Sequence, residues 1–149
     1  MTAFLNALIR AVLVWLLLMA AESLQGAARR LLLSPALEQA LRQISVLVGV
    51  LVIAAITWAL LPWMRIRTTG QALATGAMWA LLTLAFEFGL GGIMGRNWSQ
   101  MLVDYDLNQG GLMPIGLLAM ALVPWAVWRL QSRTRRASTK PDRRLRKSP

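Results

Sequence analysis

Two glutamates set the chemistry open to this chain. Glu22 and Glu87 each fall at the end of a long apolar stretch, and in the 26 residues from Gly70 to Gly95 the only charge is Glu87. An ionisable group inside a membrane span costs at least ~2.5 kcal/mol near the bilayer centre, so it turns toward protein or water. Such a pair could couple to a proton or cation, since two nearby carboxylates raise the pKa of one. It could serve as a general base on a lipid, with an arginine on the phosphate. It could also form a static polar cluster that ties helices together or binds a headgroup. Arg42 and Gln43 open the next apolar segment, and Arg96 and Asp104 follow Glu87 in a polar loop. The candidate binding cluster is therefore Glu22, Arg42, Gln43, Glu87, Arg96 and Asp104. No catalytic residue is assigned, because general bases need positioned partners and no nucleophile or metal motif accompanies these.

Other chemistries drop out on composition. The chain has no cysteine and no histidine, which removes thiol chemistry, iron–sulfur ligation and the usual ligands of zinc, copper and haem. Six acidic residues in all make a dedicated magnesium or calcium site a poor expectation. Asp104, Asp106 and Asn108 alternate like the start of an EF-hand loop, but the glycine comes one position late and Ile115 stands where the bidentate glutamate belongs. No metal and no cofactor is expected.

The elements that must position the cluster are membrane spans. The chain is 57% hydrophobic over 149 residues, against ~45–50% for soluble domains. Four apolar segments approach the ~20 residues that cross a bilayer: residues 4–26, 44–64, 71–93 and 111–129. The expected fold is all-α, an integral membrane four-helix bundle over residues 1–130. The first segment has a rival reading as a signal peptide, with Arg10 before Ala11–Ala21 and small residues at its end. Phe4, Leu5, Ala7, Leu8 and Ile9 extend it back past Arg10, which favours a retained helix. Residues 27–41 read as a connector broken at Ser34-Pro35, and Ser34 could cap a short helix beginning at Pro35. Trp98, Met101, Leu102 and Tyr105 fall at helical spacing for a short surface helix. The seven tryptophans are expected mainly at the interfaces.

Charge sets the orientation. With both termini in the cytoplasm, twelve Lys/Arg lie inside (Arg10, Arg65, Arg67 and nine from Arg129 onward) and four outside (Arg29, Arg30, Arg42 and Arg96). That asymmetry follows the positive-inside rule. Glu22 and Glu87 then lie at similar depth near the outer face. Gly76, Ala80, Thr83, Glu87 and Gly91 recur on one helix face, as do Glu22, Gln25, Gly26 and Arg29. Ser45 and Gly49 form a small-xxx-small pair. These faces predict a polar plug or shallow cavity on the outer side of the bundle.

The net charge of +10 belongs mostly to the last 21 residues, where nine basic residues face only Asp142. Residues 131–149 read as a disordered basic cytoplasmic tail. Arg133, Arg135, Arg136, Arg143, Arg144, Arg146 and Lys147 are expected to contact anionic lipid of the inner leaflet. No aromatic residue interleaves with them, which argues against nucleic acid.

Ala21-Glu22 with Gly26 and Arg29-Arg30, Arg42-Gln43-Ile44, Leu82-Thr83-Leu84-Ala85-Phe86-Glu87-Phe88, Trp98 and Asp104-Tyr105 before Gly110 resemble a group of small bacterial four-span membrane proteins with no known activity. The resemblance runs from Glu22 to about Pro124. It implies a four-span bundle in a bacterial inner membrane and nothing about a reaction. Some members carry histidine near the place of Gln25, and its absence here speaks against a histidine-dependent mechanism. The leading expectation is a non-enzymatic accessory or interaction protein whose partners are membrane lipids, another membrane protein or a second copy. The alternatives are a small transporter or channel coupling protons or cations through Glu22 and Glu87, and a lipid-modifying enzyme.

Overall fold

Arg10 interrupts the first apolar stretch without ending its helix. The computed structural model describes residues 2–32, 42–103, 105–106 and 111–138. In it α1 runs unbroken over Thr2–Leu32, followed by α2 (Arg42–Met64), α3 (Thr69–Ile93), the short α4 (Trp98–Val103) and α5 (Met113–Ser138). Four of these are long and apolar enough to cross a membrane, at Leu5–Arg29, Ile44–Met64, Thr69–Ile93 and Met113–Arg135. At 1.5 Å per residue each clears a hydrocarbon core of ~30 Å. The chain is a multi-pass membrane protein built as an all-α bundle.

Two helices run further than the spans read from composition. α1 continues through Ala27–Leu32, because nothing before Pro35 disfavours helix. α5 passes residue 131, where composition places the start of the tail, and reaches Ser138. No glycine or proline stands between Pro124 and Pro141, so a helix leaving the apolar layer has no reason to stop at the interface. The remainder of the tail, with Arg143, Arg144, Arg146 and Lys147, lies outside the described residues, as does the Ser34-Pro35 segment.

The ends of α2 and α3 that lie at the turns between helices are finished by named groups. Pro62 lacks an N–H and so leaves the Trp58 carbonyl free within α2; Gln131 Nε2 of α5 donates to that oxygen at 2.8 Å. Arg10 Nη1 donates to the Trp63 carbonyl at 2.9 Å, and its guanidinium lies 5.3 Å from the Trp63 ring centroid. A cation at a helix C-terminus also meets the favourable end of the dipole. Thr68 caps α3, accepting from the Gln71 N–H at 3.2 Å, while Gln71 Oε1 accepts from the Arg67 N–H at 2.8 Å. α3 ends in a Schellman turn: the Arg96 N–H donates to the Gly91 carbonyl and the Gly95 N–H to that of Gly92. Gly95 takes the left-handed φ of 69° that this turn requires. The chain therefore doubles back and lays α4 against the end of α3, where the spacing of Trp98, Met101, Leu102 and Tyr105 predicts a short helix; the helix stops at Val103 and Tyr105 lies in the turn beyond it.

The main interfaces run from α1 to α2, α2 to α5, α5 to α3 and, more lightly, α3 back to α1. In that ring α1 and α3 are parallel, as are α2 and α5. A double clasp joins the first pair. Trp79 Nε1 of α3 donates to the Ala11 carbonyl at 2.8 Å, and one turn on, Trp15 Nε1 of α1 donates to Thr83 Oγ1 at 3.0 Å. Thr83 in turn donates to the Trp79 carbonyl at 2.8 Å. Trp79 is fully buried. These two tryptophans are core residues and not part of an interfacial belt, because their N–H groups find partners inside; Trp58, Trp63 and Trp98 are exposed. Between α3 and α5 the contact is backbone on backbone, with Gly76 seated on the Ala121 carbonyl. The outer surface is the reverse of a soluble protein's. Leu16, Leu47, Leu51, Leu81 and Leu118 are all exposed, while glycine, threonine and tryptophan join the aliphatic residues of the interior. Lipid is as apolar as leucine, so close packing and hydrogen bonds, not burial, hold such helices together.

Candidate functional site

The face of α1 that carries Glu22, Gln25, Gly26 and Arg29 opens on a cavity of about 400 Å³. The extra turns of α1 matter here, because they keep Arg29 in register with Glu22. α2 contributes Ser45, Gly49 and Ile53, α3 contributes Glu87, and α5 contributes Met113 and Gly116. All four spanning helices build the site. The two glutamates, 65 positions apart in sequence, line one space.

The geometry around Glu22 is specific. Gly49 lets its carboxylate approach α2: a Cβ at that position would lie 2.7 Å from Glu22 Oε2. Gln25 is tied by Nε2 to the Ser45 carbonyl at 2.9 Å, with Ser45 Oγ at 3.5 Å. A backbone carbonyl only accepts, which fixes the amide with its Nε2 toward α2 and Oε1 away from it. Glu22 Oε1 and Gln25 Oε1 are both buried and have no hydrogen-bond partner among the described residues. Buried polar atoms are normally paired; here two acceptors on one face of α1 are not.

Beneath the cavity the bundle is filled. Val14, Leu18, Ile53, Trp79 and Met120 form a buried cluster, and the only buried polar residues among those described are Thr57 and Thr83. Among the described residues, the layer below the cavity is thus filled mostly by apolar side chains.

Glu87 also borders a smaller hollow with Phe88, Arg96, Met101, Tyr105 and Met113. Phe88 stacks on Tyr105 with centroids 5.8 Å apart and planes at 15°, and packs on Trp98 at 5.6 Å. Met101 is buried over Gly91, where a Cβ would sit 2.5 Å from its terminal methyl. The aromatic triad and Met101 hold the loop after α3 over the Glu87 end of the site.

Of the residues the sequence singles out, Glu22 and Glu87 share the main cavity, and Arg96 shares the smaller hollow with Glu87. Arg42 and Gln43 stand at the start of α2, with side chains outside the described residues; Asp104 is outside them altogether. Arg133 and Arg135 are exposed on α5 at the opposite end of the bundle, and Arg136 belongs to the same helix. Arg65, Arg67 and Arg135 border a hollow of about 200 Å³ at that end. The described carboxylates, Glu22, Glu87 and Asp106, are not among the residues that line it. Arg29, Gln25, Ser45 and Gly116 are cavity residues missing from the sequence-derived cluster. For the first two the signal was the i, i+3, i+7 spacing from Glu22; for Gly116 sequence offers none. Among the described residues no three carboxylates converge as a metal site would need.

No protein-family model matches the chain, and neither a curated protein nor a solved structure is similar to it. The resemblance to small bacterial membrane proteins thus carries no family assignment. Fold and site define the class: a four-span membrane protein with a polar recess at one end and a cluster of arginines at the other.

Proposed function

We propose that this is a non-enzymatic binding protein of a bacterial inner membrane, whose recess receives the polar head of a small molecule or lipid from the outer side. The observation that carries this reading is the recess itself: about 400 Å³, built from all four spanning helices, with Glu22, Gln25 and Arg29 of α1 and Glu87 of α3 in its lining. Concave sites with a few convergent polar groups are the usual form of a ligand site. The packed core below it weighs against a transporter or channel, and the lack of a metal set among the described residues weighs against a metal-dependent lipid-modifying enzyme. The orientation rests on the twelve-to-four split of Lys/Arg. Arg65, Arg67, Arg133 and Arg135 then meet the anionic inner leaflet, worth about 1 kcal/mol for each residue near the surface.

A chain without cysteine can be mapped one thiol at a time. In spheroplasts an impermeant maleimide should label Asn97→Cys and Ser45→Cys, and should reach Thr134→Cys only after lysis. Adding Gly116→Leu should protect Ser45→Cys and leave Asn97→Cys reactive. Labelling of Thr134→Cys in intact spheroplasts would reverse the orientation. A Ser45→Cys that never reacts would show that the recess is closed to water-borne ligands.

A further inference from the structure

Resting on that binding reading, we infer that the ligand presents a protonated primary amine, held by Glu22 Oε1 and Gln25 Oε1. Both atoms are buried acceptors without a donor among the described residues. A third acceptor, such as a phosphate or carboxylate oxygen, would be repelled there; a group with several N–H donors satisfies both at once. The amide of Gln25 cannot turn to offer its own N–H, because Nε2 is held on the Ser45 carbonyl at 2.9 Å. Glu22 and Gln25 are three apart on one face of α1, and both line the recess. A buried charge is tolerated when it is paired and hydrogen-bonded.

The depth order on α1 says how a larger ligand would lie. Arg29 comes one turn after Gln25 toward the end of the helix, a rise of about 6 Å. An aminophospholipid headgroup would bring its ammonium to Glu22 and Gln25 and its phosphate toward the arginine level. A free amine would need only the inner pair. The ammonium is common to both sources, and the experiment separates them.

The test uses the purified full chain in nanodiscs and native mass spectrometry. The probes are lipids of identical acyl chains bearing ethanolamine, choline or glycerol headgroups, with soluble ethanolamine as competitor. The ethanolamine lipid should bind at least about tenfold tighter than the other two, the scale of a lost charged hydrogen bond. The choline lipid is the telling comparison, since it keeps the charge and has no N–H. Glu22→Gln and Gln25→Leu should each reduce that preference to less than about threefold, with folding checked by circular dichroism. Displacement by soluble ethanolamine at millimolar concentration assigns the site to free amines; no displacement assigns it to the lipid headgroup. Equal or better binding of the glycerol or choline lipid would overturn the amine inference and leave the binding reading intact. A recess that takes none of the lipids and no ethanolamine would overturn both.

Discussion

Gly76→Ala is expected to push α3 away from α5 and to cost about 3 kcal/mol or more of bundle stability, at the upper end of overpacking penalties. A Cβ on Gly76 would run into the Ala121 carbonyl. That atom is backbone inside a continuous helix, so neither side can give way without moving a whole span. Helix propensity pulls the other way, since alanine is favoured over glycine by about 1 kcal/mol in a helix interior, and the sign of the result decides which effect wins. Gly26→Ala and Gly116→Ala are the controls. Their Cβ atoms would meet nothing within 4 Å, so they should be neutral or stabilising by up to about 1 kcal/mol. Unfolding of each variant in detergent, followed by circular dichroism, reads the difference directly. If Gly76→Ala unfolds with the controls, the close contact between α3 and α5 is not what holds them together.

Trp79→Ala should cost about 3–5 kcal/mol, as for other large-to-small changes at buried aromatic sites. Trp79→Phe should cost only on the order of 1 kcal/mol. Trp79 is the largest fully buried side chain among the described residues, and its loss leaves a void in the core, about two helical turns below Glu87. Phenylalanine fills most of that space and gives up only the bond to the Ala11 carbonyl, which lies within α1 and keeps a helical partner. The same pair of variants, melted side by side, separates packing from hydrogen bonding in the α1–α3 clasp. Equal destabilisation of the two would place the energy in the hydrogen bond instead.

The four spans were legible because a bilayer imposes a length, and a length can be counted. The inward face of α3 was legible for a related reason: Gly76, Thr83, Glu87 and Gly91 repeat at helical steps, and three of them, Gly76, Thr83 and Gly91, are buried. Gly49 reads only as half of a small pair with Ser45; that it makes room for the Glu22 carboxylate was not legible. Arg29 reads on the face of Glu22 from its helical spacing but is left out of the named cluster, because the first span is ended at Gly26. In fact the helix continues into the interface and carries the arginine with it. Trp15 and Trp79 fall outside the interfacial belt expected of most tryptophans, and sequence gives no view of a partner on another helix that would single them out. Met113 and Gly116 were out of reach for a simpler reason. From Met113 to Trp128 α5 bears no charge, so nothing in that stretch says which face looks inward.

The central claim is that the recess holds a ligand, and the most direct measurement is what leaves the membrane with the protein. Native mass spectrometry of the wild type, extracted gently from its own membrane, should show a discrete bound species of defined mass. Gly116→Leu, which fills the recess from a position where a Cβ meets nothing, should fold as well as the wild type and come out bare. A wild type without bound species, or a Gly116→Leu variant carrying the same load, would contradict the account and leave Glu22 and Glu87 as parts of the scaffold alone.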